Sequence, residues 1–182
     1  MVAPMIGEPK APLKERAELP AYFYRLSAHA QRIYLRSEEI DRFDLAAGRD
    51  AHIRAGALMA ALGGGSVART ESAAQDLVTE LCRLLGVRRV TVEVKGVRPH
   101  NARGELHGIF YPSAPRIVLW MRTARRHEVV RPKTFLRTLM HELGHYLDYS
   151  LLRLGESYHT RGFFKRESFL VHTLYPPDEG AQ

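Results

Sequence analysis

The sequence predicts an α+β fold in which a small mixed or antiparallel sheet packs against one long helix, with an added helical segment before it. Three patterns predict this class. Residues 90–94 alternate between apolar and polar, which is typical of a half-buried strand. Two apolar runs, 108–111 and 116–121, enclose a Pro-Ser-Ala-Pro turn and predict a hairpin. Leucine and methionine recur at helical spacing from Thr134 to Leu154 and predict a long amphipathic helix.

The chain divides into four predicted parts. Residues 1–20 hold four prolines among charged residues, a composition typical of a flexible arm. Apolar residues recur at helical spacing through 21–62, which predicts an N-terminal segment of short helices. The glycine-rich run 63–66 predicts a boundary, after which 67–175 forms the main domain and 176–182 a tail.

Local signals place further elements in the main domain. Ser72 with Gln75 fits a capping box and predicts the start of a helix. Residues 95–106, between the predicted strand and the hairpin, predict a loop. A last helix is predicted from Phe163 to Leu174, directly before two prolines.

The composition excludes several classes of protein. No apolar run approaches the ~18 residues that a membrane-spanning helix needs, and the start of the chain lacks the apolar stretch of a secretory signal. Cys82 is the only cysteine, which excludes an intrachain disulfide or a cysteine-based zinc ribbon and indicates a reducing compartment. The sequence therefore predicts a cytoplasmic protein with no membrane partner, and it leaves the oligomeric state open.

The predicted long helix contains His141-Glu142-Leu143-Gly144-His145, which matches HExxH. Two histidines four residues apart lie one turn apart on the same face of a helix, so both imidazoles can bind one Zn²⁺ ion. Glu142 lies beside the first ligand and can reach a metal-bound water without binding the metal, which is the position of a general base. The motif therefore predicts Glu142 as catalytic, His141 and His145 as metal ligands, and one zinc ion per chain.

A catalytic zinc site needs a third protein ligand. The candidates downstream of the motif are Asp148, Glu156, His159, Glu167 and His172. His159 is preferred, because it follows the turn that ends the helix and the chain can fold back there toward the metal. Glu167 is the alternative third ligand. Asp148 shares the helix face of the histidines but is short, which favours a role in orienting a ligand histidine.

With a third histidine downstream, the motifs resemble those of the SprT-like zinc metalloproteases. That family follows its HExxH helix with a short loop and a third histidine, commonly in the pattern HGxxF. The corresponding stretch here is His159-Thr160-Arg161-Gly162-Phe163, with thirteen residues between His145 and His159. The stretch departs from the family pattern because Thr160 stands where the glycine is expected, and the glycine comes two residues later as Gly162.

The resemblance covers about residues 67–175 and does not extend to 1–62. It implies a zincin-like fold and a zinc-dependent protease, often one that acts on proteins bound or crosslinked to DNA. The predicted reaction is hydrolysis of an amide bond in a protein or peptide substrate, with Glu142 moving the protons. Tyr158 is a candidate donor to the oxyanion, as are Tyr149 and Tyr111, although packing is the more common role of such rings.

The positive charge is concentrated in one stretch of the chain. The net charge is +7 overall, but residues 83–137 alone carry +10, and the parts before and after them carry −1 and −2. The candidate contacts to the phosphates of a nucleic acid are Arg122, Arg125, Arg126, Arg131 and Lys133. The alternative function is therefore a catalytically inactive protein on a zincin scaffold, with a nucleic-acid-binding or regulatory role.

Overall fold

The structure is a computed structural model that describes residues 19–102 and 104–175. The predicted arm, up to residue 18, and the predicted tail, 176–182, lie outside the described residues. Within the described part, a short 3₁₀ helix at Phe23–Arg25 precedes the longer elements. The helices are α1 (Ala28–Glu39), α2 (Arg49–Gly63), α3 (Val67–Leu84), α4 (Pro132–Ser150) and α5 (Arg161–Leu174). The strands are β1 (Thr91–Val97), β2 (His100–Asn101), β3 (Gly104–Glu105), β4 (Gly108–Tyr111) and β5 (Arg116–Arg122).

A mixed sheet of three strands, in the order β1-β5-β4, lies at the centre of the described chain. β1 runs parallel to β5, and β4 runs antiparallel to β5 as the predicted hairpin. The α+β class and the hairpin are thus confirmed. The predicted loop over 95–106 is wrong in part, because pairing with the seven-residue strand β5 extends β1 to Val97. The short strands β2 and β3 pair with each other in the remainder of that segment.

One apolar core joins the N-terminal helices to the sheet and to α4. Leu58 of α2, Leu77 of α3, Leu119 of β5 and Leu143 of α4 belong to the same cluster of buried side chains. α2 packs along α3, α3 packs on β1, and α4 contacts both β4 and β5. The helical segment before residue 63 therefore contributes to the same core as the sheet that supports α4.

Two helix boundaries differ by several residues from those predicted, the start of α3 and the end of α4. α3 begins at Val67 rather than near Ser72, because the hydroxyl of Ser66 accepts the N–H of Arg69 as the N-cap. α1 ends at Glu39, and the chain that follows it is irregular up to α2. α4 ends at Ser150 rather than Leu154, as the chain turns out of the helix there. Among the described helices, none combines the length and the apolar character needed to cross a membrane.

Candidate metal centre

Three histidines converge on one point beside β4. His141 and His145 lie one turn apart on α4, and His159 lies in the loop between α4 and α5. The Nε2 atom of His141 lies 3.2 Å from that of His145 and 3.0 Å from that of His159. The Nε2 atoms of His145 and His159 lie 3.1 Å apart. The structure thus brings together the two motif histidines and the preferred third histidine, and the three could hold a metal ion.

In His141 and His145, Nδ1 faces away from the cluster. The hydrogen bond at that atom determines which of the two ring nitrogens carries the proton. Ser157 Oγ lies 2.7 Å from Asp148 Oδ2 and 2.7 Å from His145 Nδ1. A carboxylate only accepts, so the hydroxyl proton goes to Asp148 and the hydroxyl oxygen accepts from Nδ1–H of His145. Nδ1 of His141 lies 2.9 Å from Glu167 Oε2 and donates to that carboxylate in the same way. The Nε2 atoms of both rings therefore present lone pairs to the cluster.

Lone pairs at this separation repel one another, and a cation at their centre removes the repulsion. Burial lowers the pKa of His145 to about 3, and the neighbouring His141 and His159 add to the effect. Burial also lowers the pKa of His159, with His141 acting in the same direction. His145 and His159 are thus neutral at physiological pH, which is the form that binds a metal ion.

The aromatic residue of the HGxxF-like stretch packs against the rings of the histidine cluster. Phe163, which is 1 % exposed, stacks on His145 with 4.6 Å between ring centroids and 29° between planes. Gly144 makes room for it, since a Cβ there would lie 3.3 Å from the Phe163 ring. Thr160 caps α5 by accepting the N–H of Phe163 at 2.9 Å. The threonine at the expected glycine position therefore sets where α5 begins, and with it the place of Phe163.

Glu142 lies on the wall of a cleft that exposes the three histidines. The cleft is about 330 Å³ and is lined by β4 and the turn after it, by α4 and by the loop before α5. Burial raises the pKa of Glu142 to about 7, while His141 and the N–H of Phe110 act against the rise. Gly108 allows β4 to approach α4 this closely, since a Cβ there would lie 2.9 Å from Glu142 Cγ. A carboxyl with such a pKa can accept and donate a proton near neutral pH.

Two other predicted residues support the Nδ1 atoms of the rings, one by a direct hydrogen bond and one through a serine hydroxyl. Glu167, the alternative third ligand, binds Nδ1 of His141, whereas Nε2 of that ring faces the cluster. Asp148 is fully buried and reaches Nδ1 of His145 through the hydroxyl of Ser157. Both carboxylates are therefore placed to orient a ligand ring, which is the role predicted for Asp148.

The candidate oxyanion donors lie in different places. Tyr149 lines the cleft, and its hydroxyl donates to Glu156 at 3.4 Å. Tyr158 packs its ring against Tyr34, with 5.8 Å between centroids, and is not among the described residues that line the cleft. Tyr111 lies at the end of β4, under the guanidinium of an arginine of β5. Of these tyrosines, Tyr149 is the one that the fold brings to the cleft wall.

The predicted nucleic-acid contacts lie at the end of β5 and on the segment that joins it to α4. The exposed ones are Arg125, Arg126, Arg131 and Lys133. Arg122 is half-buried and donates to the carbonyls of Gly65 and His127 at 3.1 and 3.2 Å, so it ties the turn between α2 and α3 to β5. Arg131 and Lys133 lie at the N-terminal end of α4, and Lys133 is about 12 Å along the helix axis from His141. Arg125 and Arg126 lie in the turn after β5. His172, a candidate ligand, is exposed in the last turn of α5.

Three residues that shape the site are absent from the predictions made from the sequence. Gly108 opens an apolar strand, a position where glycine often marks a close approach of another element. Arg166 follows Phe163 by three residues on α5, so the helical period places a charge on a buried face and signals an internal partner. Ser157 lies in a loop, and its neighbours in the sequence give no such signal.

Comparisons with known proteins add no family to this geometry. A scan against family models, a search of curated proteins and a search of solved structures each found no match to the chain. The geometry of the candidate metal centre is therefore the basis of the function proposed below.

Proposed function

We propose that the protein is a zinc-dependent peptidase with a zincin-like fold, which hydrolyses amide bonds in protein or peptide substrates. One observation carries the proposal: three histidine nitrogens that could hold one metal ion converge, and a buried glutamate follows the first of these histidines on α4. The likeness of residues 141–145 and 159–163 to the motifs of SprT-like metalloproteases supports the same conclusion.

The donor set suits zinc. In a tetrahedral site with Zn–N bonds of 2.0–2.1 Å, two ligand nitrogens lie about 3.3 Å apart. The three Nε2 separations of 3.0, 3.1 and 3.2 Å approach that value. Three protein ligands leave one position for water or substrate, as catalytic zinc sites do. Magnesium and calcium prefer oxygen ligands, so this set of imidazoles favours zinc over them.

The side chains around the centre have separate roles in the proposed reaction. When bound, zinc acidifies water and polarises the carbonyl of the scissile bond. Glu142 accepts the proton of the attacking water and later donates a proton to the leaving amine. Glu167 holds the ring of His141 through Nδ1. Tyr149 lies on the cleft wall and Tyr158 does not, so Tyr149 is the candidate donor to the developing oxyanion, for which its hydroxyl would turn away from Glu156.

The outer edge of β4 offers a place for an extended substrate. The N–H of Trp120 on β5 donates to the carbonyl of His107, so alternate residues from 107 to 111 direct their backbone groups toward β5. The backbone groups of Gly108 and Phe110 then face the cleft, where the N–H of Phe110 already contacts the carboxyl of Glu142. Pairing with a substrate backbone at this edge gives affinity with little dependence on side chains.

Metal content and a Glu142→Gln variant test the proposal. Purified protein is expected to hold about one zinc ion per chain. Glu142→Gln should keep the zinc and lose at least ~100-fold in the hydrolysis of casein, because general acid–base catalysis contributes 10²–10⁴-fold. Glu128→Gln, at an exposed position after β5, is the control and should cleave like the parent. A parent without zinc, or a Glu142→Gln variant as active as the parent, would show that the proposal is wrong.

The exposed Arg125 and Arg126 favour a second candidate, a protein that binds nucleic acid and cleaves nothing. Binding to a fluorescent DNA duplex at two salt concentrations, with the parent and with Arg125→Gln/Arg126→Gln, measures this contact. Tight, salt-sensitive binding without casein cleavage supports the second candidate. Salt-sensitive binding together with cleavage supports a cytoplasmic peptidase that acts on DNA-associated proteins, which is the form of the first proposal that we favour.

A further inference from the structure

A buried arginine holds the end of α1 against the helix that carries the HExxH motif. Arg166 of α5 is 1 % exposed. Its Nη1 donates to the carbonyls of Ser37 and Ile40 at 2.8 and 2.5 Å. Its Nη2 donates to Ser37 Oγ at 3.0 Å and to Asp148 Oδ1 at 2.8 Å. The planar guanidinium thus bridges the carboxyl end of α1 and a carboxylate of α4, and its contacts fix its orientation.

The bridge continues to a ligand of the candidate metal centre. Asp148 is fully buried, and its second oxygen accepts from Ser157. Ser157 in turn accepts from Nδ1–H of His145. An unbroken line of hydrogen bonds therefore runs from the end of α1 through Arg166 to the ring of His145.

The same end of α1 also holds the segment next to the third histidine. Ser37 Oγ lies 3.0 Å from Oγ1 of Thr160, the residue after His159. A Cβ on Gly162 would lie 2.1 Å from the carbonyl oxygen of Ser37, so only glycine allows α5 to start against α1. The carboxylate of Glu38 accepts the backbone N–H of residue 161 at 2.8 Å. α1 is therefore in contact with the supports of two of the three histidines.

We propose that Arg166, anchored on the end of α1, is a positioning residue that fixes the rotation and the tautomer of His145 through Asp148 and Ser157. The inference rests on the metal site of the proposed function, and it gives the segment before residue 63 a part in metal binding. Groups that hydrogen-bond the outer nitrogen of a ligand histidine change metal affinity by 10–100-fold when they are removed. The arginine acts on the metal only through the two residues between them.

The zinc affinity of the full chain tests the hydrogen bond between Ser157 and His145, which is the last in the line that begins at α1. Ser157→Ala should bind zinc ~10–100-fold more weakly than the parent in competition with a chromophoric chelator. Ser157→Thr keeps the hydroxyl and should restore most of the affinity. Ser150→Ala is the matched control, because Ser150 lies on α4 and its buried hydroxyl makes none of these bonds. Equal affinity in Ser157→Ala and the parent, or equal losses in Ser157→Ala and Ser150→Ala, would overturn the proposal.

A second pair of variants tests the anchor on α1. Ser37→Ala removes the contacts to Arg166 Nη2 and Thr160 Oγ1 and should weaken zinc binding by ~10-fold, the lower end of such effects. Leu58→Val, in the core of α2, lowers stability without touching the bridge and should leave zinc affinity unchanged. If Ser37→Ala binds zinc as tightly as the parent, α1 has no part in positioning His145, and this part of the proposal is wrong.

The protonation of His145 in metal-free protein separates this inference from the proposed function. Long-range ¹H–¹⁵N correlation spectra should show the Nδ1–H tautomer at His145 in the parent and its loss in Ser157→Ala. The Nε2–H tautomer in the parent would contradict the inference even if the protein cleaves casein. The expected tautomers and affinities in a protein that cleaves nothing would support the inference and refute the peptidase.

Discussion

The two outer edges of the central sheet differ in what covers them. At the β1 edge, side chains of α3 bond to the strand as a neighbouring strand would. Gln75 Oε1 accepts the N–H of Val92 at 2.8 Å, and its Nε2 donates to the carbonyl of Val90 at 3.0 Å. Glu71 Oε2 accepts the N–H of Val94 at 2.9 Å. Two N–H groups of β1 and the carbonyl of the residue before it are thus satisfied by side chains of a helix.

At the β4 edge, the strand borders the cleft. Gly108 and Phe110 line that cleft together with the histidines and Glu142. Exposed strand edges invite association with other chains, and proteins commonly cover them. This molecule covers the edge that lies away from the histidines and keeps the edge beside them for the cleft. The comparison suggests that edge coverage follows the location of the proposed chemistry.

The largest expected effect comes from filling the narrow gap between β4 and α4, on the side of the sheet that bears the cleft. Gly108→Val places a side chain where a Cβ already lies 2.8 Å from Thr138 Cγ2 and 2.9 Å from Glu142 Cγ. We expect casein hydrolysis to fall ~100-fold, since displacement of a catalytic group by about 1 Å has effects of that size. Gly96→Val in β1 is the matched control, because a Cβ at Gly96 meets nothing within 4 Å. Equal activity in the two variants would show that the close approach of β4 to Glu142 does not matter for the proposed reaction.

A smaller effect is expected at the β1 edge. Gln75→Ala leaves the N–H of Val92 and the carbonyl of Val90 without their partners and should lower the free energy of unfolding by about 1–3 kcal/mol. Urea denaturation measures this loss, and zinc content should not change. Ser72→Ala, at an exposed position of the same helix, should change stability by less than about 0.5 kcal/mol. A loss at Ser72 as large as that at Gln75 would favour the capping box over the N-cap at Ser66.

The smallest effect is expected for Glu71→Gln. The amide oxygen can still accept the N–H of Val94, so only the strengthening by the negative charge is lost. We expect a decrease of less than about 1 kcal/mol in the same urea experiment. Glu71→Ala should cost more than Glu71→Gln, and the reverse order would show that this contact does not stabilise the edge.

The sequence predicts the features that depend on residues close to one another along the chain. His141 and His145 share one helix face because they are four residues apart. The hairpin follows from two apolar runs that are separated by a short turn. Gln75 was misinterpreted as part of a capping box, because its partners lie on a strand that local spacing does not reveal. The bridge from Ser37 to Arg166 joins residues 129 positions apart, so no local pattern contains it. Tertiary contacts of this length become visible only in the folded chain.

The contact of Ser37 with Thr160 has a consequence for the order of folding. The two residues are 123 positions apart, and the loop-closure entropy of such a contact must be overcome before the contact contributes. The backbone hydrogen bonds of the helix with the two motif histidines join residues only four positions apart. The position of His159 and the support of His145 depend on contacts between early and late parts of the chain. During synthesis, therefore, these supports of the three-histidine cluster are complete only after α5 has emerged and met α1.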